Sequence, residues 1–237
     1  MRPVAIFRFS PGDEPGRFAH WLDANGRPWR LIALHAGEPV PRDASAFAGI
    51  GMMGGPMSVN DDLPWIAPMQ ALLRHAVDLR VPVIGHCLGG QLLAKALGAQ
   101  VGRARHTEIG WIDVDVTSPS IAREWFGGHE RFTTFEWHYE AFTLPAGSER
   151  VLTNGFNEDQ AYVIDDRHIG FQGHIEMTAE IARSWIALSG DELPATPTPS
   201  TQPAGDILRS LETRVAALNA VADAVYTRWA RNLRDQA

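Results

Sequence analysis

Residues 81–98, Val-Pro-Val-Ile-Gly-His-Cys-Leu-Gly-Gly-Gln-Leu-Leu-Ala-Lys-Ala-Leu-Gly, leave little choice of local structure. The apolar run Val81 to Ile84 reads as a buried strand, and Leu88, Leu92, Ala96 and Leu97 recur at helical spacing. Gly98 supplies the helix stop. Between strand and helix there is room only for a sharp turn, Gly85-His86-Cys87-Leu88-Gly89. This is the pattern Gly-x-nucleophile-x-Gly with sulfur at the apex. Its glycines let the backbone bend steeply and let neighbours approach closely. A cysteine there sits at a helix N-terminus, where the dipole and free N–H groups favour the thiolate. A lone cysteine is more often a small buried hydrophobe. The two flanking glycines make Cys87 a candidate nucleophile instead.

A thiolate needs a base, and Gly170-Phe-Gln-Gly-His174-Ile-Glu176 offers one. In extended backbone, residues two apart point to the same side. His174 and Glu176 can therefore lie side by side, the carboxylate orienting the imidazole that takes the thiol proton. A solvated strand face also produces His-x-Glu; its place downstream of the cysteine turn gives it weight.

With 237 residues, 45% hydrophobic and eight Trp among them, the chain can build a sizeable core, as one large α/β domain or a domain with an appendage. A formal net charge of −7 argues against nucleic acid or an anionic membrane as main partner. The single Cys excludes an internal disulfide and suits a reducing cytoplasm. No signal-like leader is evident and no apolar stretch reaches about 18 residues. A soluble cytoplasmic protein is expected.

Pro3–Phe9 reads as the first strand, Arg17–Ala24 as a helix closed by Asn25-Gly26, and Trp29–Leu34 and Phe47–Met53 as further strands. Asn60-Asp-Asp-Leu-Pro signals a helix start, and the apolar positions from Trp65 to Leu79 keep to one helical face. Strands alternating with helices indicate a parallel sheet covered on both faces. Such sheets bind ligands outside the carboxyl ends of their strands. After Gly98 come short strand-like segments, 101–105, 109–116, 131–137, 151–154, 162–164 and 169–172, which fit a partly antiparallel region. Trp111, Asp113 and Asp115 alternate onto one face, and the two carboxylates read as solvated strand rather than metal ligands. Met177–Leu188 is a helix by its spacing. Residues 191–205, rich in Pro, Thr and Ser, read as a linker. Asp206 is a good N-cap for a helix to about Leu233, whose Leu208, Leu211, Val215, Leu218, Ala222, Val225 and Trp229 form an a/d seam. This segment, 206–237, is expected to pack on the domain or on a partner. His20, His35, His75, His86, His106, His129 and His168 show no metal-ligand spacing with one another or with Cys87, and no metal or cofactor is expected.

Gly85-x-Cys87-Leu88-Gly89-x-Gln91, the later His174-x-Glu176 and the earlier Gly54-Gly55-Pro56 together resemble the class I (triad) glutamine amidotransferases. The likeness is to stand-alone domains similar to the glutaminase half of GMP synthetase, and it covers roughly residues 1–190. It implies a flavodoxin-like α/β fold: an open, mostly parallel sheet with helices on both faces, a small antiparallel region and a C-terminal helix. It implies a Cys87–His174–Glu176 triad. It also turns Gly54-Gly55-Pro56, by itself a plain Gly-Pro turn, into an oxyanion loop, with the N–H groups of Gly55 and Leu88 as donors. Gln91, otherwise an exposed helix position, becomes a substrate-binding residue. Phe135 to Pro145 resembles the family's Trp-His-x-Asp-x-Phe-x-Leu-Pro segment, which borders the glutamine pocket and implies pocket roles for Trp137, His138 and Tyr139. His138 reads equally as a structural histidine bonding a carbonyl. Tyr139-Glu140 stands where Gly-Asp is usual and adds bulk at the pocket, and His86 stands where an apolar residue is usual.

The chemistry implied is cleavage of the γ-amide of glutamine or a γ-glutamyl amide through a γ-glutamyl thioester. No Gly-rich phosphate loop of the P-loop or Rossmann kind is present. Either a separate synthase subunit captures the ammonia or the chain is a free-standing hydrolase of γ-glutamyl amides or peptides, and the bulk of Tyr139 together with the lack of a fused partner favours the second. The alternatives are a glutaminase subunit delivering ammonia to a separate synthase, and a non-catalytic binding module on the same fold. Expected partners are the small-molecule amide and either a synthase subunit or a second copy of the chain.

Overall fold

The computed structural model describes residues 1–117 and 120–234; positions 235–237 of the expected C-terminal helix lie outside the described residues. Its strands are β1 (Val4–Arg8), β2 (Trp29–Ala33), β3 (Gly49–Met52), β4 (Val83–His86), β5 (Val101–Val116), β6 (Arg131–Phe142), β7 (Glu149–Thr153), β8 (Ala161–Ile164) and β9 (His168–Phe171). They form one sheet in the order β2-β1-β3-β4-β9-β8-β7-β5-β6. The run β2-β1-β3-β4-β9 is parallel, and β8, β7, β5 and β6 continue it antiparallel.

Helices α1 (Gly16–Ala24), α2 (Ile66–Asp78), α3 (Leu88–Ala96), α4 (Ser120–Trp125), α5 (Ala179–Ser189), α6 (Ala204–Leu208) and α7 (Leu211–Ala230) cover both faces. The β1 sequence explains why. Val4 and Ile6 join a core that includes Phe18 and Leu22 of α1, while Ala5 and Phe7 join one that includes Leu72 of α2 and Leu92 of α3. A strand apolar on both sides needs cover on both. α5 is capped by Thr178, whose hydroxyl accepts the N–H of Ile181 at 3.2 Å.

The pairing of β4 with β9 matters most for the site. β9 is last in sequence, yet it lies parallel to β4 with Ile84 beside Ile169, Gly85 beside Gly170 and His86 beside Phe171. The chain leaving β4 at Cys87 therefore emerges next to the chain leaving β9 at Gln172.

Three expectations change. The two short strands 101–105 and 109–116 are one strand, β5, with a register irregularity between Arg103 and Glu108. Its partner β6 runs past Trp137 to Phe142, so Trp137, His138 and Tyr139 lie on a strand. Cross-strand pairing carries both strands through locally weak sequence. The helix expected from Asp206 is two helices, parted where Arg209 is extended and Ser210 takes φ +54°. Asp206 lies inside α6, behind Pro203, and Leu208 of the proposed seam is exposed. α7 buries Leu211, Val215, Leu218, Ala222, Val225 and Trp229 in the same core as Phe18 and Trp21.

Within residues 191–205, Ser200, Thr201 and Gln202 bond to β5. Thr201 bridges to Ile109, and the Gln202 side chain accepts the Trp111 N–H at 3.0 Å and donates to the Trp111 carbonyl at 2.9 Å. Asp113 and Asp115 are exposed and paired with Arg131 at 3.2 and 3.7 Å. Among the described residues no helix is long and apolar enough to cross a membrane.

Candidate active site

Cys87 sits between β4 and α3 with φ +48° and ψ −108°. Backbone in this sparsely populated region costs of order 1–3 kcal/mol and survives only where packing enforces it. Here the enforcement is close approach. A Cβ on Gly85 would lie 2.4 Å from the Gly89 carbonyl carbon, and one on Gly89 would lie 2.6 Å from the Met52 Cβ. Gly85→Ala is therefore expected to cost about 2 kcal/mol, a fall in Tm of about 4–8 °C for a chain of this size. A thermal melt checks this; an unchanged Tm would mean that the turn has slack.

The turn aims the sulfur into a cleft of about 780 Å³ whose walls include Gly55, Gln91, Trp137, His138, Tyr139 and His174. That size belongs to pockets for ligands of roughly 300–1,000 Å³. His174 is buried, with Nδ1 2.7 Å from Glu176 Oε1 and its ring edge-on to Trp185, centroids 4.7 Å apart. Burial opposes a charge on this imidazole. The Glu176 carboxylate and then the Cys87 sulfur outweigh burial and raise His174 well above its ordinary value. Burial likewise opposes charge on Glu176, and His86 and His174 outweigh it to hold the carboxyl low. Glu176 Oε2 lies 3.9 Å from His86 Nε2. His86 gives its Nδ1–H to the Met52 carbonyl at 3.0 Å, and the Tyr226 hydroxyl of α7 stands 3.4 Å from its Nε2. Burial is the largest influence on His86 and lowers it.

The remaining sequence-derived residues divide. Leu88 opens α3, so its N–H is among those a helix leaves free at its N-terminus; Gly55 lies across the same cleft, after β3. Gln91 is buried and points inward, its Nε2 3.0 Å from the Glu140 carbonyl oxygen. Trp137 turns its carbonyl oxygen toward the sulfur at 4.0 Å. His138 does both things read for it. It lines the cleft, and its nitrogens are spent on the Glu140 carbonyl and on Glu108, each at 3.0 Å. Tyr139 is 46% exposed at the mouth and donates to Glu192 at 2.7 Å. Burial and then that bond push its hydroxyl up to about 12. No group of three or more His, Cys, Asp or Glu able to hold a metal occurs among the described residues.

Sequence reasoning missed Asp13, Gln172, Trp185 and Glu192. Asp13, bonded to Ser10, lines the cleft, and burial raises its carboxyl. It comes from turn-like sequence with no periodicity to mark it. Gln172 did leave a signal: a polar side chain at the end of the apolar strand β9.

Fold and cleft together define a class. Residues 29–187 match the family described as Glutamine amidotransferase class-I, and the chain belongs to that family. Among solved structures, the glutamine amido transferase from Methylobacillus flagellatus is 44% identical with a TM-score of 0.97, over 100% of this chain and 97% of that one. A glutamine-hydrolyzing GMP synthase of Aeropyrum pernix is 32% identical over 181 residues, 74% of this chain but only 32% of that protein. Gamma-glutamyl peptidase 4 of Arabidopsis thaliana is 26% identical over 170 residues, 69% of this chain and 68% of that protein.

Proposed function

We propose that the chain is a free-standing hydrolase of γ-glutamyl amides. The observation that carries this reading is a cysteine held at φ +48° at the start of a helix, in one cleft with a histidine bonded at 2.7 Å to a buried carboxylate. These are the parts nucleophilic acyl transfer requires. The Cys87 thiolate attacks the γ-carbonyl carbon, and the Gly55 and Leu88 N–H groups hold the oxyanion. The His174 imidazolium then gives its proton to the departing amine as the C–N bond breaks. Water, losing a proton to His174, attacks the thioester carbon; glutamate leaves and the thiolate returns.

Two observations favour an amide larger than glutamine. The cleft has room beyond a single amino acid, and a gamma-glutamyl peptidase matches over most of its length. A second reading, ammonia delivery to a separate synthase, is supported by the match to about a third of a GMP synthase. Rates on glutamine and on a panel of γ-glutamyl amides and peptides decide between them. The hydrolase reading expects kcat/KM at least about tenfold higher on some larger amide than on glutamine. Glutamine best across the panel, with rates rising only when a synthase is added, would favour the second reading.

A further inference from the structure

Gln172 follows β9 as Cys87 follows β4, and it is fully buried. Its Nε2 lies 3.8 Å from the Cys87 sulfur, and its Oε1 lies 3.4 Å from Gln91 Nε2. Which end of a side-chain amide is nitrogen follows from its partners. Here the series starts at a group that cannot be reversed, since a backbone carbonyl only accepts. The Glu140 carbonyl takes a hydrogen from Gln91 Nε2 at 3.0 Å, which orients the Gln91 amide. That nitrogen's other hydrogen meets Gln172 Oε1, which leaves the NH2 of Gln172 facing sulfur. The Gln172 backbone is pinned as well, its N–H donating to the Gln160 carbonyl at 2.8 Å.

Across the sulfur stands the Trp137 carbonyl oxygen, at 4.0 Å. It can accept from a thiol but turns a lone pair toward a thiolate. The Gln172 N–H has the opposite preference, because a donor gains when its acceptor becomes an anion. We infer that Gln172 is a further catalytic residue, whose side-chain N–H, aimed by Gln91, stabilises the Cys87 sulfur as an anion before attack and when the thioester breaks. No proton passes through the amide; the thiol proton goes to His174. The inference rests on Cys87 being the nucleophile, yet its signature lies on the free protein and needs no substrate.

Cys87 is the only cysteine in the chain, so alkylation by iodoacetamide against pH reports on this sulfur alone. Gln172→Met keeps the bulk and removes the donor. It is expected to move the midpoint of the alkylation profile up by about one pH unit and to lower kcat on glutamine about tenfold at neutral pH. Gln91→Leu removes the aiming group and is expected to give part of that shift, the double variant giving no more than Gln172→Met. A folded Gln172→Met protein with an unmoved profile overturns the inference, even if its activity falls, because a structural role alone would do that. If Gln172→Met does not fold, Gln91→Leu carries the test, and an unmoved profile there overturns it. Wild-type protein that alkylates normally but cleaves no γ-glutamyl amide would instead sink the hydrolase reading and leave the sulfur contact standing.

Discussion

Cys87→Ala is expected to lower γ-glutamyl amide hydrolysis by roughly 10⁴- to 10⁶-fold, the loss seen when a covalent nucleophile is removed and only the binding site remains. Glutamate release, measured against the wild type, checks it. Residual activity above about one per cent would mean that some other group carries the reaction. The fold should tolerate the change, because the side chain borders the cleft and Ala leaves no polar group unpaired. The backbone strain, however, persists in the Ala variant, since its φ stays near +48°. Cys87→Gly is expected to be equally inactive but more stable than Cys87→Ala by about 1 kcal/mol, because glycine takes positive φ freely. A urea titration of the two variants separates the chemical role of the sulfur from the structural cost of holding it.

Glu176→Gln comes next in size, with an expected loss in kcat of about 10²- to 10⁴-fold, by analogy with the third member of other triads. The carboxylate accepts the His174 Nδ1–H at 2.7 Å, whereas an amide can offer an N–H there and leave the ring in the wrong tautomer. The pH dependence has a definite sign. In the wild type the imidazole holds its proton above its ordinary value of 6.5 because Glu176, then Cys87, overcome burial. Without the carboxylate, burial gains ground and the proton is lost at lower pH. The alkaline limb of the pH–rate profile should therefore move toward acid. A limb that stays in place or moves toward base would show that Glu176 does not hold the His174 proton.

Stability follows the same linkage. The raised value of His174 means that its contribution is complete below 6.5 and is lost as pH rises through the raised value. The lowered value of Glu176 means that its contribution is complete above 4.5 and is lost as pH falls through the lowered value. The stability difference between wild type and Glu176→Gln should accordingly be largest between 4.5 and 6.5 and shrink on either side.

Parts of this site were legible because they are local. Two glycines around a cysteine after an apolar run dictate a strand, a turn and a helix, whatever the rest of the chain does. The histidine and glutamate two residues apart do face one another at 2.7 Å, but not along an extended strand as expected: β9 ends at Phe171 and residues 175–176 form a turn. His138 resisted reading for the opposite reason. Its partner Glu108 comes from β5, thirty residues away in sequence, and only the β5–β6 pairing brings them to 3.0 Å. The division of the C-terminal segment at Ser210 was also hidden, since the apolar spacing of 208–229 continues through a residue whose φ is +54°. Packing around α6, where the Trp111 indole N–H bonds the Ile207 carbonyl at 3.0 Å, overrides that periodicity.

The local pattern by itself determined that Cys87 would stand at a sharp glycine-flanked turn and that the chain would build a parallel α/β sheet, because dihedral limits and hydrophobic period act over a few residues. Which strand lies beside the turn was a tertiary decision. Nothing near residue 87 specifies that β9 rather than another strand will pair with β4, and that pairing brings Gln172 to the sulfur and His174 into the same cleft. Buried hydrogen-bond partners are chosen by the packing of distant segments, where an unpaired polar group is costly, and spacing along the chain carries no record of that choice.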